Sequence, residues 1–188
     1  MPYEITDWED ELSEEAKKLF NKMFPEYNRK LTEIKRMPVS ILIWGPSPSS
    51  SSSIGKIRKL LRTKLRQEGH LAMFSEELCD EDSDFSIRLQ QLVQAQQYDL
   101  IISIPETPGS IGEIHDFADD LRVNKKILIF LNKSFSGGYS VESLKTISCL
   151  LSSEIIQYTN DSIDSIITYS LNTVNKIREY KYIVEGRY

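Results

Sequence analysis

The chain has 188 residues, 40% hydrophobic and 27% charged, with a formal net charge of −5 at pH 7, which is enough for one domain with a full core. The acidic balance excludes nonspecific nucleic-acid binding by the whole surface, and no apolar run approaches the roughly 20 residues of a membrane span. Two distant cysteines, Cys79 and Cys149, lack metal-ligand spacing, and the acidic opening residues show no basic-then-apolar leader pattern, so no metal and a reducing, cytoplasmic setting are expected.

Residues 1–36 read as a helical extension. Leu12, Ala16, Leu19, Phe20, Met23 and Phe24 form an apolar stripe at helical spacing, flanked by Ile5 and Trp8. A stripe this wide has to be covered, either by the chain's own sheet edge or helices or by an interface in a homo-oligomer or with a protein partner. Residues 37–188 read as a Rossmann-like nucleotide-binding domain of alternating strands and helices.

Val39 to Trp44 is a nearly continuous apolar run, the pattern of a strand covered on both faces. Ile54, Ile57, Leu60, Leu61 and Leu65 then repeat at helical spacing until Glu68-Gly69. Leu71 to Phe74 is the second strand, Phe85, Leu89, Leu92 and Val93 mark the second helix of this domain, and Leu100 to Ile104 is the third strand. Ile114, Phe117, Ala118 and Leu121 mark a third helix before a strand at Ile127 to Leu131. After Gly137-Gly138, Val141, Leu144, Ile147 and Leu151 mark a fourth helix. Glu154 to Tyr158 is the last strand, and Ile163, Ile166, Ile167, Leu171, Val174 and Ile177 share one face of the last helix. Five β-α units in succession predict an α/β fold: a doubly wound, flavodoxin-like parallel sheet of order 2-1-3-4-5 with an extra N-terminal helix. In that order the loops after strands one and three meet in one crevice.

Three motifs fall at the carboxyl ends of strands, where open α/β sheets bind ligands. After strand one, Gly45, Ser47 and the run Ser49 to Ser53 offer small residues, hydroxyls and helix N-terminal amides to a phosphate, with Ser51, Ser52 and Ser53 closest to the helix. Lys56 and Arg58 would assist an anion there, although a plain serine loop capping the helix fits the same residues. After strand two, Glu76 and Glu77 can accept from ribose hydroxyls or belong to an exposed acidic loop with Asp80, Glu81, Asp82 and Asp84. After strand three, Pro108, Gly109, Ser110, Gly112 and Glu113 open a helix. Ser110-Ile111-Gly112-Glu113 matches a capping box, in which Glu113 bonds back to the N-cap amide. Gly112 favours the functional reading. A first-turn glycine weakens a helix by roughly 1 kcal/mol relative to alanine, whereas close approach of a ligand to the backbone needs one. Asp99 lies at the opposite end of strand three and reads as structural, and His115 reads as a surface residue.

Pro108 to Ala118, followed by Asn124-Lys125-Lys126-Ile127-Leu128-Ile129-Phe130, resembles the nucleoside 2-deoxyribosyltransferase superfamily, especially its 2'-deoxynucleoside 5'-phosphate N-hydrolase branch. The resemblance implies that Glu113 attacks the anomeric carbon of a nucleotide and that Ser110 binds the 5'-phosphate. Ser103, Ser110 and Glu113 also resemble, more loosely, the serine and glutamate pattern of enzymatic TIR domains, which cleave NAD. Both imply rupture of an N-glycosidic bond, with a nucleotide such as NAD as substrate rather than a bound cofactor, and a setting in antiphage defence. The chain departs from both patterns: a serine run replaces a glycine- and arginine-rich loop, the helix before strand three offers glutamines where the hydrolases carry an aspartate, and Gly112 stands where TIR domains have a cysteine. A catalytically silent nucleotide-sensing or scaffolding subunit is the alternative expectation.

Overall fold

The computed structural model describes residues 12–106, 108–118, 120–135, 142 and 154–185; within those ranges the side chains of Pro108, Gly109, Glu113, Asp116, Ala118 and Phe135 lie outside the description. The chain divides into two compact units, residues 1–37 and 38–188.

The described part of the first unit forms one helix, α1 (Glu14–Arg36), capped by the Ser13 hydroxyl, which accepts from the Ala16 N–H. It runs a dozen residues beyond the apolar stripe read from the sequence and continues through Pro25. The proline withholds one N–H from the helix. Arg29, bonded to Glu26 (2.6 and 2.9 Å) and to Glu33, supports the following turns. Leu19, Met23 and Tyr27 are exposed, while Ile5 and Trp8 lie outside the described residues.

The second unit is the doubly wound domain. Its strands are β1 (Ser40–Trp44), β2 (Leu71–Phe74), β3 (Leu100–Ser103), β4 (Ile127–Asn132) and β5 (Glu154–Tyr158). They form one parallel sheet in the order β2-β1-β3-β4-β5. Its described helices are α2 (Ser53–Gln67), α3 (Ile87–Gln97), α4 (Pro108–Ala118) and α5 (Ser165–Tyr180). The helix expected at Val141, Leu144, Ile147 and Leu151 lies outside the described residues.

Period-two alternation within uniformly apolar strands builds two cores. Ile41 and Ile43 face one way, packing with Leu61 and Leu65 of α2 and with Ile166 and Val174 of α5. Leu42 and Trp44 face the other way, with Ala95 of α3 and with Ile111, Ile114 and Phe117 of α4. Both sheet faces are therefore dry, which is why β1 reads as a continuous apolar run.

Local chemistry sets the helix ends. Ser52 caps α2 by accepting from Gly55 N at 3.0 Å. At its far end Gly69 takes φ +85°, and the Gly69 and His70 amides bond back to Arg66 O and Leu65 O, the paired bonds of a Schellman termination. Ser86 caps α3, so Phe85, read as part of that helix, lies just outside it and is exposed. Leu121 likewise falls beyond the end of α4 and is exposed; the register that buries Ile114 and Phe117 is not continued that far.

At the amino edge of the sheet, Asp99 accepts from the Ser40 N–H and hydroxyl (2.8 and 2.9 Å) and from Lys181 (3.0 Å). Burial would raise its pKa, but these donors outweigh it and hold the carboxyl below its ordinary range. This is the structural role the sequence suggested. Nearby, buried His70 lies between the Val39 N–H (3.2 Å) and Arg178 (2.8 Å). Burial first, and then the Arg178 charge, push its pKa down to about 4.

Candidate functional site

At the carboxyl edge, the exits of β1 and β3 touch. Ile104 N donates to Trp44 O at 3.1 Å, extending the β1–β3 pairing by one residue. Gly45 has φ +146°, and a Cβ there would stand 2.8 Å from Ile104 O. Gly45 is therefore required by the close approach of these two exits. Its presence needs no ligand to explain it.

The serine loop is folded by its own hydroxyls. Ser47 Oγ accepts from Ser49 N (3.2 Å), Ser50 Oγ donates to Ser52 Oγ (2.8 Å), and Ser52 N donates to Ser50 Oγ (3.1 Å). A Cβ at Gly55 would lie 2.9 Å from Ser50 O, so the loop packs directly on the first turn of α2. Ser51 and Ser53 remain exposed. The sequence suggested both a cap and a phosphate cradle, and the cap is present in the fold.

Arg58 is not the exposed anion partner the sequence suggested. It is fully buried. One guanidinium nitrogen donates to Gly45 O (3.0 Å), to Pro46 O and to Glu76 Oε1 (2.9 Å). The other donates to Ile43 O (2.8 Å) and Glu76 Oε2 (3.0 Å). The guanidinium also lies 4.7 Å from the Phe74 ring centroid. This planar, multiply donating group ties the exit of β1 to the exit of β2, a geometry that lysine cannot reproduce. The signal was legible in the spacing: Ile54, Arg58, Leu61 and Leu65 follow one buried stripe of α2.

Glu76 is thus held by a bidentate arginine, and its side chain remains 40% exposed. Its solvent-facing lone pairs can still accept from a ligand. Glu77 bonds Arg62 at 2.5 Å and accepts from Phe74 N at 3.3 Å. Desolvation opposes ionisation of Glu77, but these donors prevail and lower its pKa. Both carboxylates therefore already hold the β2 exit to α2.

A cavity of about 330 Å³ opens between the β1 and β2 exits, lined by Trp44, Gly45, Ser47, Glu76, Cys79 and Gln91 among others. Trp44 is buried against Phe117 (centroids 5.1 Å apart), and its indole Nε1 has no hydrogen-bond partner among the described residues. Ser75 donates to Gln94 Oε1 (2.9 Å), whose amide nitrogen faces Cys79 Sγ at 3.4 Å.

Helix α4 begins at Pro108, with proline in the first position, where its missing N–H costs nothing. Ser110 consequently stands inside the first turn, with its hydroxyl accepting from Glu106 N at 3.2 Å. It is therefore not the N-cap that a capping box with Glu113 requires, because the helix starts at Pro108, three residues before the Ile111 start that such a cap implies. Glu113 lies about one turn into α4; its side chain, like those of Pro108 and Gly109, lies outside the description. Gly112 is exposed, its φ is not in the left-handed range, and among the described residues a Cβ there would meet nothing within 4 Å. Neither the packing of the described residues nor backbone conformation requires this glycine. His115, farther along α4, is half-buried.

One carboxylate passed unremarked in the sequence. Glu106, between β3 and α4, is half-buried. Its charge reaches Tyr158 at the end of β5: burial raises the phenol to about 12, Glu106 adds to the rise, and nearby Asn132 opposes it. Among the described residues the buried Tyr158 hydroxyl makes no well-formed hydrogen bond. No spacing rule links positions 106, 132 and 158; strand order alone brings them to one edge.

No known family model matches the chain, and no curated protein matches its sequence. No described helix is long and apolar enough to cross a membrane.

Proposed function

We propose that this chain binds a nucleotide at the carboxyl edge of its sheet and breaks the bond between base and sugar, with NAD or a deoxynucleotide as substrate. The observation carrying this reading is the start of α4 at Pro108. It removes the capping-box explanation of Glu113 and leaves Gly112 with open space beside it. The substrate phosphate lies against the first-turn amides of α4 and Ser110, with Ser51, Ser53 and the α2 N-terminus as the second anion contact. Glu76 accepts from a sugar hydroxyl through its exposed edge.

The chemistry is a retaining displacement. The Glu113 carboxylate forms a bond to the anomeric carbon as the carbon–nitrogen bond breaks, and the electron pair leaves with the base. Water then attacks the anomeric carbon, gives up a proton, releases Glu113 and yields the sugar phosphate, which is ADP-ribose when NAD is the substrate. A ribosyltransferase would substitute a second base for water. Glu106 is the carboxyl that can carry the proton between water and base.

The test is incubation with NAD and a panel of deoxynucleotides, with released base read by chromatography. Glu113→Gln abolishes release, and equal release by variant and wild type removes the assignment. A second reading, a nucleotide-sensing or scaffolding subunit that docks a partner through α1, is favoured by the exposed Leu19, Met23 and Tyr27. It gives nucleotide-binding heat without base release, together with a co-purifying protein. Either activity would fit a role in antiphage defence within the cytoplasm, and gene neighbourhood tests that role.

A further inference from the structure

Helix α3 presents two different faces. Its inner side reaches the core through Ala95 and walls the 330 Å³ cavity through Ile87 and Gln91. Its outer side carries Leu89 (43% exposed) and Val93 (50%), and Phe85 (64%) lies just before it. With Leu78 these residues line a shallow depression of about 380 Å³.

What surrounds this patch distinguishes it from an ordinary helix surface. Of the eleven residues of α3, only Arg88 is charged; the apolar side chains are flanked by glutamines. The outer face of α2, by contrast, carries Lys56, Lys59, Lys64 and Arg66. Apolar residues without charges are the composition of an interface centre. Arg88 apart, charge among the described residues gathers at the two ends of α3, net acidic before its N-terminus and net basic at its C-terminus. Before its N-terminus lie the exposed Asp80, Glu81, Asp82 and Asp84. At its C-terminus Arg122 pairs with Asp120 at 2.6 Å, Lys126 donates to Gln96 O and Tyr98 O at 2.9 Å, and Lys125 is exposed.

We propose that the outer face of α3 is a homodimer interface, formed by antiparallel packing of α3 on α3 of a second copy about a two-fold axis. An isologous contact must be self-complementary. Antiparallel pairing meets that condition: Leu89 and Val93 of each copy meet at the centre, and the acidic end of each helix meets the basic end of its partner. Parallel pairing would oppose like charges at both ends. The helix is only about 16 Å long at 1.5 Å per residue, so the contact belongs with the small, weak interfaces that bury less than about 1,200 Å². The dimer is accordingly reversible and salt-sensitive. Because α3 also walls the cavity, pairing braces that wall.

Sedimentation of the full chain over micromolar to submillimolar concentrations tests the proposal. A monomer–dimer equilibrium is expected, weakened about 30-fold or more by Leu89→Glu and by Val93→Glu, as for central interface residues. Both positions are exposed, and circular dichroism checks that the variants remain folded. Asp84→Lys and Lys125→Glu each weaken the dimer at low salt, and the double variant restores it. A chain that stays monomeric throughout overturns the proposal, as does a dimer indifferent to Leu89→Glu and Val93→Glu. A double reversal that fails to restore association refutes the antiparallel pairing. A dimer lost only on Leu19→Glu with Met23→Glu in α1 places the interface elsewhere and also overturns it.

Discussion

Gly112→Ala separates architecture from function at the one position where the two make opposite predictions. Residue 112 lies in the fifth position of α4, and a Cβ added there meets no heavy atom within 4 Å. Its backbone lies outside the positive-φ region, so alanine fits without strain. The exchange then removes glycine's excess entropy loss, worth about 0.5–1 kcal/mol near a helix start. For a domain of this size that raises Tm by about 2 °C, readable by urea and thermal denaturation. A ligand lying against the α4 backbone would meet the new methyl, and a forced overlap costs about 1–3 kcal/mol. Base release or nucleotide affinity should therefore fall about tenfold while stability rises. A stabilised variant with unchanged binding and turnover refutes the idea that a ligand approaches residue 112. A destabilised variant refutes the open space from which the magnitude was derived.

Arg58→Met removes the donor that satisfies Ile43 O, Gly45 O, Pro46 O and Glu76; a loss of about 3–5 kcal/mol in urea denaturation is expected, and Arg58→Lys should not restore it. Gly45→Ala forces a Cβ to 2.8 Å from Ile104 O at φ +146°, so a loss of about 1–3 kcal/mol is expected, and an unchanged melting curve would contradict the close approach of the β1 and β3 exits. His70 takes up its proton near pH 4 in the fold and near 6.5 in the unfolded chain. Stability should therefore be full above the unfolded value and decline by roughly 3 kcal/mol as the pH falls towards 4. Asp99, with its lowered pKa, adds a loss of the same sign at lower pH; denaturation across this range checks the slope, which His70→Gln should flatten.

Much of the fold could be read from apolar periodicity, because a strand dry on both faces leaves an uninterrupted apolar run, and an amphipathic helix a 3.6-residue stripe. Those signals located β1 to β5, while the serine run before α2 left open which hydroxyl caps it; that is Ser52. They failed at element ends: Phe85 and Leu121 satisfy the helical spacing but lie outside their helices, because the cap at Ser86 and the end of α4 at Ala118 are fixed by local hydrogen bonding and packing. The site was legible in part. Glycine and serine spacing drew attention to the turns after β1 and β3, but it could not separate a glycine needed by neighbouring backbone, Gly45, from one with nothing beside it, Gly112.

Periodicity along the chain is enough to order the strands and helices and to assign the residues of each buried face, and it puts Glu113 and Ser110 after the third strand. Which polar groups are already occupied emerges only in the folded chain. Arg58 lies in the core, Glu76 and Glu77 are held by arginines, and Glu106 shares an edge with Tyr158. The physical reason is that a side chain's hydrogen-bond partners come from segments distant in sequence, and those segments meet only once the sheet order is set.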